Sequence, residues 1–189
     1  MPAKPTPLRR NPAPTQDHVL ALDQSALDAA RKNIDDGAVT PSYGPWRDSI
    51  VKLLNDALAT ELVCVLRYKR HHFTAHGLAS PAIATEFMVH ANEEAGHADL
   101  IAERIVQLGG EPDFSPATLL ERSHADYNDA SDLKAMVRAN LVAERVAVES
   151  YRQMIALIGD KDPTTRRMLE GILNDEEEHA DELADMLEE

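Results

Sequence analysis

The stretch HANEEAGHADL, His90 to Leu100, sets Glu94 and His97 three residues apart, and on a helix that spacing puts both side chains on one face. Phe87, His90, Ile101 and Ile105 recur around them at helical steps, and Glu94 and His97 fall in the same phase. The face that carries them is therefore the face that turns to the core. A second stretch, LNDEEEHADEL at 173–183, repeats the arrangement. There Leu169, Ile172, Leu183 and Met186 set the phase, and Glu176 and His179 fall in it. Two further helical patterns each hold a single acid in phase. One is Glu61, among Leu54, Leu58, Val65 and Tyr68; the other is Glu144, among Val137, Leu141, Val148, Tyr151 and Ile155.

These four patterns predict an all-α chain. They run from about Trp46 to His76, from Ser80-Pro81 to Gly109-Gly110, from about Ser131 to Ile158, and from Asp162-Pro163 nearly to the C-terminus. Ser80-Pro81 and Asp162-Pro163 read as caps followed by proline at the first helical position. Short links make the first two helices, and the last two, antiparallel hairpins. Between the hairpins lie about twenty residues, EPDFSPATLLERSHADYNDA, with a helix start at Ser115-Pro116. A crossover of that length spans a bundle and sets the third helix parallel to the second. The fold class is a four-helix bundle with one long crossover, at 46–189. Ahead of it, 17–45 predicts a short helix with Leu20, Leu27, Ala30 and Ile34 on its spacing, then a loop bracketed by Pro41 and Pro45. Residues 1–16 hold five prolines with Lys4, Arg9 and Arg10, which predicts an extended tail.

Four carboxylates on buried stripes are costly. The idealised transfer of one such ion to a low-dielectric interior costs about 20 kcal/mol, and several even after relaxation. Total stability is only about 5–15 kcal/mol. No Lys or Arg falls in that register at that level to pair with them, so two divalent cations are the expected partners, neutralising four glutamates, with one neutral histidine for each metal. The arrangement also repeats internally. Glu61 precedes Tyr68 by seven residues and Glu94 by 33; Glu144 precedes Tyr151 by seven and Glu176 by 32. The halves read as two copies of one hairpin about a pseudo-twofold axis between two equivalent metals.

Composition narrows the classes. A net charge of −14 disfavours a general nucleic-acid binder and suits the attraction of cations. No apolar run reaches a membrane span, and no apolar segment follows the basic N-terminus as a secretory signal would require. The single Cys64 excludes an internal disulfide and fits a reducing cytoplasm.

The motifs NDALATELVCVLRY, EEAGHADLIAERI, LVAER and LNDEEEHADEL resemble the bacterioferritin branch of the ferritin-like family, over about residues 46–187. The ligand set of such carboxylate-histidine bundles is itself a known pattern. The resemblance implies a di-iron ferroxidase acting on Fe²⁺ with O₂ or H₂O₂, for iron storage and protection against oxidative stress. It makes Glu61 and Glu144 terminal ligands, His97 and His179 nitrogen ligands, Glu94 and Glu176 bridges, and Tyr68 a neighbour of the centre. Mixed oxygen and nitrogen donors suit iron, with manganese or zinc as other occupants. Ala95 stands where haem-bearing relatives have a haem-ligating methionine, so haem is not expected there. The chain ends ten residues after His179, too soon for the fifth helix of 24-subunit cages. A Dps-like twelve-subunit cage is therefore expected over a 24-mer or a dimer. Two alternatives stand: a DNA-protecting particle using the basic tail, and a non-cage di-metal peroxidase or manganese catalase.

Other residues carry less. Cys64 reads as a buried structural thiol. His71, His72 and His76 read as favourable cations at a helix C-terminus rather than metal ligands. His90 reads as a neighbour of the centre or a ligand on its approach. Glu93, Asp175 and Asn140 flank the ligands at positions that can orient the histidines.

Overall fold

The computed structural model of the chain describes residues 21–32 and 34–188. Its elements are helix α1 (Gln24–Ala30), a 3₁₀ segment (Pro41–Trp46), α2 (Arg47–Thr74), α3 (Ser80–Gln107), the single turn α4 (Leu119–Arg122), α5 (Leu133–Ile158) and α6 (Pro163–Glu188). Among the described residues there is no strand. No helix among the described residues is long and apolar enough to cross a membrane.

The pairings give the topology. Tyr68 reaches Glu144 and Tyr151 reaches Glu61, so numbers rise along α2 as they fall along α5, and the two are antiparallel. Arg104 meets Thr165, His97 meets Asp175 and His90 meets Glu182, which makes α3 and α6 antiparallel too. With α2–α3 and α5–α6 as hairpins, α3 runs parallel to α5, as the crossover requires. The crossover lies along α2 rather than looping into solvent. Asn55 Nδ2 donates to the Glu111 carbonyl (3.2 Å) and Asn55 Oδ1 accepts from the Asp113 N–H (2.7 Å). Thr60 Oγ1 accepts from the His124 N–H (2.9 Å), and Arg67 and Arg70 donate to the carbonyls of Asp126 (3.2 Å) and Ala130 (2.8 Å). Side chains of α2 thus satisfy a connection whose backbone would otherwise lack partners. Where it leaves α3 the chain presses on α2, and a Cβ on Gly110 would stand 2.7 Å from Val51 Cγ1, so only glycine fits.

The core comes in two apolar blocks. Ile50, Leu54, Leu58, Ile101, Ile105, Met154, Ile158, Leu169 and Ile172 fill one end of the bundle. Cys64, Phe87, Met136, Val137 and Leu183 fill the other. Glu61, Glu94, Glu144 and Glu176 lie between the blocks in the sequence order of all four long helices, and each is buried.

Three local expectations change. Ser80 is the first residue of α3 and donates to the Gly77 carbonyl, so it does not cap the helix. The crossover helix is one turn beginning at Leu119, not at Ser115. The N-terminal helix is shorter than 17–36 and buries nothing: Asp23 caps it, and Ile34 lies beyond it, 80% exposed. Seven residues without an apolar partner make only a marginal helix. Leu20 and the tail 1–16 lie outside the described residues.

The cap at Asp162 does hold. Its Oδ1 accepts from the Thr165 N–H (3.0 Å), and Arg104 Nη2 donates to both of its oxygens (2.9 and 3.0 Å), all buried. The Asp162 carboxyl lies below its ordinary range: burial opposes this, and the bonds from Thr165 and Arg104 outweigh it. Asp162→Ala strips the cap and leaves a buried guanidinium unpaired. It is expected to cost about 3 kcal/mol, read as a fall in denaturation midpoint.

Candidate metal centre

All six residues singled out by the spacing meet in the polar layer. Glu61, Glu94, His97 and Glu176 bring one donor atom each within 4.8 Å of one another, and so do Glu94, Glu144, Glu176 and His179. The two groups share Glu94 and Glu176. His97 Nδ1 lies 3.4 Å from Glu61 Oε2, 3.4 Å from Glu94 Oε2 and 3.2 Å from Glu176 Oε1. His179 Nδ1 lies 3.8 Å from Glu94, 3.9 Å from Glu144 and 3.9 Å from Glu176.

The outer side of the layer is fully occupied. His97 Nε2 donates to Asp175 (3.2 Å) and His179 Nε2 to Glu93 (2.9 Å). Each histidine is held by the acid that precedes the other helix's shared glutamate. Both Nε2 atoms are thereby engaged on the outer side, and Nδ1 of each ring is the nitrogen left facing inward for a metal. Tyr68 donates to Glu144 Oε1 and Tyr151 to Glu61 Oε1, crossing between the hairpins. The inward atoms are bare: Glu61 Oε2, both oxygens of Glu94 and Glu176, Glu144 Oε2, and Nδ1 of His97 and His179 have no hydrogen-bond partner. A buried donor set of this composition without partners fits two divalent cations.

Electrostatics agree. Burial, then the charges of neighbouring glutamates, pushes the carboxyls of Glu94 and Glu176 well above their ordinary range. Burial also opposes ionisation of Glu61, but the close approach of Glu94 and of His97, with the Tyr151 phenol, outweighs it and holds the carboxyl low. Burial disfavours a charged His97, yet Glu176 and Glu61 push its imidazole up to about 11. Protons crowd where positive charge is wanted.

Several expectations need correction. A cation does sit at this level: Arg67 is fully buried, with Nη2 3.9 Å from Glu144 Oε1. It escaped the register argument because it precedes Tyr68 by one position, and a long side chain reaches the layer from an adjacent face. Asn140 does not orient the histidine ligands. Its Oδ1 accepts from Arg67 Nε (2.8 Å) and His71 Nδ1 (3.2 Å). His71 is no helix-end cation either, because burial, with Arg67 and Arg70 nearby, lowers its pKa to about 4. His72 donates to the Ala84 carbonyl (2.6 Å), while His76 stays exposed. Cys64 is buried as expected, and burial pushes its thiol pKa up. Tyr151, read from sequence only as the repeat partner of Tyr68, belongs to the site equally. The seven-residue step from each lone glutamate was the available signal.

Glu93→Gln keeps the size of the side chain but weakens its hold on His179. It is expected to weaken Fe²⁺ binding about tenfold, measured by anaerobic titration. Unchanged affinity would mean that His179 needs no orienting partner.

Comparison with known proteins follows the same lines. A family model described as a ferritin-like domain matches residues 51–189. A nutrient stress-induced DNA-binding protein of Synechococcus sp. is 32% identical over 139 residues, 71% of this chain and 78% of that protein. The bacterioferritin of Mycobacterium avium is 28% identical over 140 residues, covering 74% and 84%. Among solved structures, the bacterioferritin-related protein of Bacteroides fragilis, described as a dodecameric thioferritin, superposes with a TM-score of 0.72 at 33% identity, covering 75% of this chain and 85% of that one.

Proposed function

This chain belongs to the ferritin-like family, and from that premise we propose that it is an iron-binding ferroxidase that oxidises Fe²⁺ with O₂ or H₂O₂, for iron storage and detoxification in the cytoplasm. The carrying observation is the set of bare, inward donor atoms shared between two four-residue groups. Glu61 and His97 would hold one iron and Glu144 and His179 the other, with Glu94 and Glu176 available to both. Two iron ions bound there supply two electrons to one oxidant. The protein's own part is to hold the ligands still and keep water out. Asp175 and Glu93 fix the imidazole tautomers; Tyr151 and Tyr68 fix the two terminal carboxylates. The apolar blocks above and below exclude bulk solvent. The B. fragilis protein's description supports a twelve-subunit cage as the assembly.

The test is an anaerobic Fe²⁺ titration of the assembled protein, then addition of O₂ or H₂O₂, with particle size measured on the same sample. Two tight sites per chain, rapid oxidation and a particle much larger than a dimer are expected. Absence of tight sites sinks the reading; a dimer with peroxide-consuming activity would favour the peroxidase or manganese-catalase alternative. DNA protection is a second reading, favoured by the name of the Synechococcus relative and by Lys4, Arg9 and Arg10. Repetition of a weak basic arm over a cage multiplies phosphate contacts. A low-salt gel shift that disappears when residues 1–16 are removed would support it, and one that persists would not.

A further inference from the structure

The pseudo-twofold symmetry of the centre breaks on the Tyr68 side. Outward from Tyr68, three positions on α3 and α6 carry Glu86, His90 and Glu182. Their counterparts outward from Tyr151, at the same offsets from Glu176 and His97, are Met168, Ile172 and Leu100. The bundle does not demand a polar trio there, since one half does without it. We propose that Glu86, His90 and Glu182 form a third divalent-cation site beside the di-metal pair. The assignment rests on local geometry, and on the ferroxidase reading only for the kind of metal available.

The convergence of three donor atoms carries the argument. The Tyr68 phenol has one hydrogen, committed to Glu144. Its oxygen can therefore only accept from His90 Nδ1, 3.1 Å away, so Nδ1 bears the imidazole hydrogen. The buried His90 ring turns Nε2 outward. It faces Glu182 Oε2 at 2.9 Å and Glu86 Oε1 at 3.7 Å. Ionised carboxylates have no hydrogen to offer. Three electron-pair donors converge, within 4.8 Å of one another, and among the described residues no Lys or Arg pairs with either carboxylate. One imidazole nitrogen and two carboxylate oxygens suit Fe²⁺, Mn²⁺, Co²⁺ or Zn²⁺. Bonds of about 2.0–2.2 Å to one ion place its donors at separations of this order. The second-neighbour pattern is right as well, because a metal-bound histidine normally donates its other N–H, here to Tyr68. An acidic cleft of about 180 Å³ runs over Glu86, Glu93, Asp175, Glu178, His179 and Glu182 and gives a cation access from solvent. The His90 and His179 rings stack at 4.1 Å, so such an ion lies one ring away from the di-metal pair.

The competing occupant is a second proton on His90, and diffraction separates the two. Crystals of the assembled full-length protein are soaked anaerobically in Co²⁺ and measured at the cobalt absorption edge. The wild type is expected to give an anomalous peak between Glu86, His90 and Glu182 besides the pair at Glu94 and Glu176. Glu86→Gln/Glu182→Gln, altered at half-exposed side chains so that folding is preserved, is expected to lose that peak and keep the pair. A filled pair with no third peak overturns the site in favour of the proton, and so does a third peak that survives the double substitution. A third peak without the pair would instead sink the di-metal reading and leave this one standing.

Discussion

Glu94→Ala is expected to abolish rapid Fe²⁺ oxidation, with helical content by circular dichroism unchanged. Glu94 belongs to both four-residue groups, so its loss removes a donor atom from each group at once, whereas Glu61 or Glu144 belongs to one. Neither of its oxygens has a hydrogen-bond partner, so the substitution orphans no donor elsewhere. Its carboxyl is also one of those that burial and the surrounding glutamates hold above the ordinary range, so removing it relieves repulsion in the metal-free fold. The prediction thus separates activity from folding in one residue. Glu94→Gln, which keeps the volume but not the charge, should behave alike in stopped-flow oxidation. Oxidation at the wild-type rate in either variant would rule out Glu94 as a bridge. His97→Ala is the companion test, since it removes the only nitrogen donor of its group.

What the sequence disclosed depended on how local the signal was. Glu61, Glu94, Glu144 and Glu176 share the phase of buried leucines and isoleucines, and phase survives folding because long helices bury one stripe. Helix ends were legible where a side chain and backbone agree, as at Asp162, and illegible at Ser80, where the hydroxyl donates one turn back rather than accepting from the helix. The N-terminal helix was over-read because Leu27 and Ile34 have helical spacing but no partner surface; they are 39% and 80% exposed. Arg67 was invisible for a tertiary reason. Its partners are Asn140, 73 positions away, and the Asp126 carbonyl on the crossover, and nothing local announces either. Its presence changes the charge bookkeeping of the layer: the four carboxylates face a fixed guanidinium before any metal arrives. That charge lies on the Tyr68 side, where the matching position beside Tyr151 is Ser150, so the two four-residue groups are chemically unequal despite their matched side chains.

Metal removal is expected to lower the melting temperature, and the drop should grow with pH. In the metal-free fold Glu94 and Glu176 have raised pKa values, so what their protonated forms contribute is present below the ordinary carboxylate range and is lost as pH rises through the elevated values. His97, up at about 11, contributes fully below its ordinary 6.5 and loses that contribution as pH climbs towards 11. Glu61, held low, runs the other way and matters only in acid. Between pH 6 and 8 the balance makes the metal-free protein less stable as pH increases. The loaded protein does the reverse, because each ligand must shed its proton to bind and rising pH removes that competition. At free metal about 1,000-fold above the dissociation constant, one site adds ~4 kcal/mol. For a chain of this size that corresponds to ~10 °C. Calorimetry with and without a chelator at pH 6 and pH 8 measures both slopes. Coincident melting curves at both values would mean that Arg67 and shared protons neutralise the layer unaided, and that the buried carboxylates do not await a metal.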